Sequence, residues 1–164
     1  MAFEDVVGQK TPIDILQNAL RRDRISHAYL FTGKEGMGKE FTAIQFAKAL
    51  NCKESKLDYC GECISCRKFS SGNHPDIVNI EPEGKYIKID QIRQLQQNTS
   101  YKPYESQWKI YIINKADRMN LQAANSLLRT LEEPPKYVII ILLASKEDLL
   151  LPTITSRCQI VKFR

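Results

Sequence analysis

A chain of 164 residues that is 43% hydrophobic and 26% charged has enough apolar mass for one ordinary domain core. No apolar run is long enough to span a bilayer, and the acidic, mixed first ten residues (MAFEDVVGQK) lack the pattern of a secretory leader, so a cytoplasmic location is expected. A net charge of +5 fits a polyanionic partner and a plainly solvated basic surface equally well, and selects neither.

In chain order, residues 12–22 (PIDILQNALRR) space Ile13, Leu16 and Leu20 for a helix, with Pro12 suited to its first turn. Residues 28–32 (AYLFT) form a short apolar run closed by a glycine, which predicts a buried strand. Helical spacing returns over 39–50 with Phe41, Ile44, Phe46, Ala47 and Leu50. Residues 51–73 are polar, cysteine-rich and glycine-punctuated, and predict an inserted loop or small module. Strands are expected at 76–80 (DIVNI), 109–113 (KIYII), 137–143 (YVIIILL) and 159–163, helices at 89–97 and 121–132, and a short helical turn at 147–151. The second of those helices places Ala124, Leu127, Leu128 and Leu131 on one side and stops before Pro134-Pro135, because the residue before a proline disfavours helix. A nearly continuous apolar strand such as 137–143 belongs to a parallel sheet covered on both faces. Alternating strands and helices then predict an α/β doubly wound domain with three layers.

The stretch FTGKEGMGKEFTA, residues 31–43, follows a strand and opens a helix, the context of a phosphate-binding loop. Gly33, Gly36 and Gly38 let backbone N–H groups converge on phosphate oxygens, and Lys39 would neutralise β- and γ-phosphate charge. The next residue should be a Mg²⁺-binding Ser or Thr, and it is Glu40. A carboxylate can ligate Mg²⁺, yet at ~4 Å and an effective dielectric of about 20 it repels a like charge by about 4 kcal/mol, roughly a thousandfold in affinity. An acidic pair usually ends a later apolar strand, one acid placing Mg²⁺ and the next polarising water; here those positions are Asn114 and Lys115. Asp117 comes too late to substitute without a shift of the strand end. Three departures at the metal and water positions argue for loss of hydrolysis.

Cys52, Cys60, Cys63 and Cys66 read C-x₇-C-x₂-C-x₂-C. Four thiolates bind Zn²⁺ tetrahedrally in a closed, structural site, and Gly61 helps the chain turn between them. Such an ion would staple a module lacking its own core. An iron–sulfur cluster also suits four cysteines, and local disulfides are the third possibility. His74 is a spare ligand or an ordinary loop residue; Cys158 stands apart and is expected to pack near a strand. Near the end, PTITSRC carries Arg157 after a strand-and-turn region; its guanidinium matches phosphate geometry, as many surface arginines do.

In order along the chain, ISHAYLFTGKEGMGKE, the four cysteines, NKADRMN, AANSLLRTLEEPP and TSRC resemble bacterial DNA polymerase III clamp-loader subunits of the AAA+ class. The resemblance covers the whole chain, and its most specific parts are the cysteine spacing, LEEPP and Ser156-Arg157-Cys158. It implies a P-loop domain, residues 1–164, with a zinc module inserted at about 51–73, and lid and collar domains in the part of the protein beyond. The ATP-hydrolysing gamma/tau subunits of the family carry the Ser/Thr and acids that positions 40, 114 and 115 lack, so the chain resembles the stator branch. By that resemblance Arg157 is an arginine finger presented to ATP held by a neighbouring subunit, with Ser156 and Cys158 shaping the turn. The implied partners are gamma/tau- and delta-type subunits, and through them the sliding clamp and primed DNA. Two other functions stay open: a working gamma/tau-type ATPase that tolerates Glu40, and a zinc-dependent nucleic-acid binder using Lys53, Lys56, Arg67 and Lys68.

Overall fold

The computed structural model describes residues 8–54, 59–72 and 74–164. The elements run α1 (Lys10–Arg21), β1 (Ala28–Thr32), α2 (Lys39–Asn51), α3 (Ile64–Ser70), β2 (Ile77–Ile80), α4 (Ile89–Thr99), β3 (Lys109–Ile113), α5 (Leu121–Glu132), β4 (Val138–Ala144), α6 (Pro152–Thr155) and β5 (Gln159–Lys162). The strands make one parallel sheet in the order β2-β3-β4-β1-β5. β1, β3 and β4 are buried along their whole length, which is why they read as unbroken apolar runs.

Alternate residues of those strands feed two cores. Leu30, Tyr111, Ile113, Ile140 and Leu142 meet α4, α5 and Ile154 of α6 on one face. Tyr29, Phe31, Ile112, Ile139 and Ile141 meet α1 and α2 on the other, with Tyr29 edge-on to Phe46 at 5.3 Å between ring centroids. The expected three-layer α/β domain is therefore present. Among the described residues no helix is long and apolar enough to cross a membrane; the expectation that no leader is present falls largely on residues 1–7, outside those described.

Several expectations need correction. α1 begins at Lys10, two residues ahead of Pro12, because Ile13 N–H already bonds the Gln9 carbonyl at 3.2 Å. Phe41 does not join the apolar face of α2; it is exposed. Leu128 lies partly buried beside the core, while Ala123 takes a fully buried place that periodicity did not assign. Residues 51–73 contain a helix, α3, that the polar composition concealed. Arg157 follows helix α6, whose first residue is Pro152, not a strand and turn. The turn expected at 147–151 is a single 3₁₀ turn, Glu147–Leu149.

Candidate functional site

The loop after β1 closes against the last strand of the sheet. Phe163 N–H donates to the Thr32 carbonyl at 2.7 Å, and a Cβ on Gly33 would lie 2.7 Å from the Phe163 carbonyl oxygen. Gly33 also has φ +150°, so close approach and conformation both require glycine there. Gly38 is left-handed and starts α2, which aims its N-terminus into the loop. Lys39 Nζ donates to the carbonyls of Gly33 and Lys34, so the lysine is folded back onto its own loop. Burial lowers its pKa, and the nearby carboxylates of Glu35 and Asp117 oppose that shift.

The loop opens on a cavity of about 700 Å³ walled by Gly36, Gly38, Lys39 and Glu40 on one side and by Asn114, Lys115, Asp117, Arg118 and Ser145 on the other. The structure thus brings the loop and both degenerate positions together. Three cations (Lys39, Lys115, Arg118) and four acids (Glu35, Glu40, Glu81, Asp117) are interspersed around it. The Asn114 side chain is buried and its Nδ2 meets no acceptor among the described residues. A donor left unpaired in this wall suits an anionic or carbonyl guest. Lys115 is exposed in a left-handed backbone, φ 51°, and its side chain adds positive charge rather than a base.

Asp117, two residues past the expected acidic pair, nevertheless lines the cavity. The left-handed Lys115 and the following 3₁₀ turn, Ala116–Arg118, bend the chain at once after β3 and bring Asp117 into the cavity. A non-glycine φ above zero leaves no periodic trace in a sequence.

The four cysteines converge. Their Sγ atoms lie within 4.8 Å of one another, and Cys60 and Cys66 are 4.0 Å apart. A tetrahedral ion with metal–sulfur bonds of about 2.3 Å needs sulfurs about 3.8 Å apart, so the set could hold a metal such as zinc. Backbone N–H groups already point at two sulfurs: Cys60 N–H at Cys52 Sγ (3.3 Å), and Glu62 and Cys63 N–H at Cys60 Sγ (3.4 and 3.2 Å). Burial resists ionisation of Cys63, but N–H donors from Lys53 and Cys66 overcome it and lower its pKa; burial raises that of Cys66. Gly61 is left-handed at φ 79°, in the role expected of it.

His74 is not a fifth ligand. It is buried, its Nδ1 accepts from Asp76 N–H at 3.1 Å, and its Nε2 lies 2.8 Å from Ser65 Oγ and 3.2 Å from Ser106 Oγ. Ser65 is on α3, so the ring latches the cysteine module to the segment before β3. Lys68 pairs with Glu105 across the same junction. Of the basic residues considered for nucleic acid, Lys68 is therefore engaged, and Lys56 lies outside the described residues.

Arg157 stands between α6 and β5, and β5 runs parallel to β1 with Tyr29 opposite Gln159. It lies at the strand entrances, whereas the phosphate-type loop lies at the strand exits. β1 is five residues long, so on the order of 15 Å of sheet separates the two. Its guanidinium is half-exposed and touches Glu132 and the Thr153 carbonyl. Cys158 packs against the α5–α6 core, and burial raises its thiol pKa to about 12.

The profile of the family described as "DNA polymerase III, delta subunit" matches residues 8–164. The chain is 44% identical over 156 residues to DNA polymerase III subunit delta′ of Bacillus subtilis, covering 95% of this chain and 47% of that protein. It is 40% identical to the tau subunit of the same organism, covering 99% of this chain and 29% of that protein. Among solved structures, a Thermotoga maritima DNA polymerase III gamma subunit-related protein superposes with a TM-score of 0.72 at 27% identity, over 93% of this chain and 46% of that one. The RuvB Holliday junction branch migration motor of Thermotoga maritima, at 16% identity and a TM-score of 0.60 over 99% of this chain and 47% of that one, shares the fold. The chain spans about half the length of the delta′ relative it matches.

Proposed function

Since the chain belongs to the DNA polymerase III delta-subunit family, we propose that it is the P-loop domain of a delta′-type clamp-loader subunit that hydrolyses no ATP itself and completes a neighbour's ATP site with Arg157. Identity to a tau subunit is nearly as high as to delta′, so the choice rests on residues in the cavity. One observation carries the trans role of Arg157: the arginine and the chain's own phosphate-type loop are at opposite ends of the same parallel sheet. A guanidinium at the strand entrances cannot reach a phosphate at the exits of its own sheet, so any phosphate it serves belongs to another chain. There it would neutralise charge developing on the transferred phosphoryl group. The partners would be gamma/tau- and delta-type subunits in a hetero-oligomer that loads the sliding clamp onto primed DNA, in the cytoplasm. The four cysteines would hold a structural Zn²⁺, and the loop, with Lys39 and the unpaired Asn114 amide, would hold an anion at most.

Arg157→Ala in the full-length chain, assembled with its loader, tests the reading. Turnover at the site that the arginine faces should fall by roughly 10³–10⁵-fold, with the thermal transition of the domain unchanged. Normal turnover would remove the finger. The rival reading, a working ATPase, has Asp117 in its favour, since the structure brings that carboxylate to the loop. Steady Mg-ATP turnover by this chain alone, abolished by Asp117→Asn, would establish the rival instead.

A further inference from the structure

The last turn of α5 breaks a local rule. Its final residue is Glu132, followed by Glu133, and carboxylates at a helix C-terminus face the negative end of the helix dipole. Residues set against a local preference often mark a position with another task. Here Glu132 Oε1 lies 3.3 Å from Arg157 Nη2, while Arg157 Nη1 donates to the Thr153 carbonyl at 2.8 Å. The guanidinium is thus held at two points by two helices. Both helices are fixed beside the contact: Leu131 and Ile154 are buried in the same apolar layer, and Arg157 N–H closes α6 on the Ile154 carbonyl at 3.0 Å.

We propose that Glu132 is a positioning residue for Arg157: it holds the guanidinium plane in place before the neighbouring subunit's phosphate arrives. An arginine carries five N–H donors; one bonds the Thr153 carbonyl and Nη2 pairs with Glu132, which leaves donors for a phosphate. A long side chain ordered in advance loses less freedom when it meets its target, so the gain lies in the rate of the chemical step rather than in ATP affinity. The pair is half-exposed, and exposed ion pairs contribute little to folding. Removing Glu132 should therefore change catalysis without unfolding the chain. This inference rests on the reading of Arg157 as the finger.

A double-mutant cycle on the full-length chain in its assembled loader tests it, with Glu132→Ala, Arg157→Ala and the pair. Glu132→Ala should lower kcat for ATP about tenfold, within the range of couplings between touching residues, with KM for ATP and the thermal midpoint unchanged. In the Arg157→Ala background the same change should have no further effect. Unaltered kcat in Glu132→Ala beside a slow Arg157→Ala would overturn the positioning role, and so would losses that multiply in the double variant. Full activity in Arg157→Ala would instead sink the finger itself.

Discussion

Asp76 shows how much one residue can organise. It is fully buried, and its carboxylate accepts N–H groups from Tyr104 (2.5 Å), Glu105 (2.9 Å) and Ser106 (2.9 Å), shaping the turn that leads into β3. Burial pushes its pKa up, but the three donors outweigh burial and hold it below the usual carboxylate range. Asp76→Ala would leave three amides without an acceptor at ~1–3 kcal/mol each, so a loss of about 3 kcal/mol or more is expected in denaturant unfolding; a loss under about 1 kcal/mol would contradict this account. The neighbouring His74 has the opposite sign. Burial lowers its pKa, so the folded state favours the neutral ring. Its contribution is complete above the unfolded value of about 6.5 and declines as pH falls below it, whereas that of Asp76 declines only below about pH 4. The stability difference between wild type and His74→Gln should therefore change between pH 7.5 and 5.5, and a difference flat across that range would remove His74 from the acid limb.

At the scale of elements, α3 is the test of the cysteine module. Seven residues are too few to hold a helix in water by themselves. Its support comes from Cys63 and Cys66 toward the metal-type cluster, from Ser65 toward His74, from Lys68 toward Glu105 and from Phe69 against the α1–α2 core. Cys63→Ser, or chelation of the wild type, should release one zinc per chain and expose the α3 amides to hydrogen exchange, while the amides of β1, β3 and β4 stay protected. Unchanged α3 protection in metal-free protein would refute a structural ion. The same helix shows where legibility ended. β1, β3 and β4 could be read because a strand covered on both faces needs apolar residues at every position. The sequence ISCRKFS has no such pattern, since a cysteine, a serine and one aromatic, Phe69, make the contacts that an apolar stripe makes elsewhere. The Asn120 cap of α5, whose side chain accepts Ala123 N–H at 2.8 Å, emerges only in the structure. The convergence of the loop with positions 114 and 115 was legible as motif order. Asp117 was not, because it turns on one left-handed lysine.

At the scale of the whole molecule, the parallel sheet separates two functions by its length. Its exit end keeps the loop, the glycines and Lys39, yet four acids outnumber three cations around the cavity. Charge alone thus opposes a triphosphate, and Glu40, exposed at the start of α2, is the acid placed where a hydroxyl would hold Mg²⁺. Glu40→Thr should remove about 4 kcal/mol of repulsion at most, raising Mg-nucleotide affinity by up to roughly 10³-fold in calorimetric titration. It should not start hydrolysis, because Asn114 cannot supply a charged metal ligand and Lys115 cannot polarise water. Turnover should require Glu40→Thr together with Asn114→Asp and Lys115→Glu. If Glu40→Thr alone turned over ATP, the three departures would not be one concerted loss. Asp117 would then be the carboxylate at work, and the exit end of the sheet would be an ATPase held off by a single side chain.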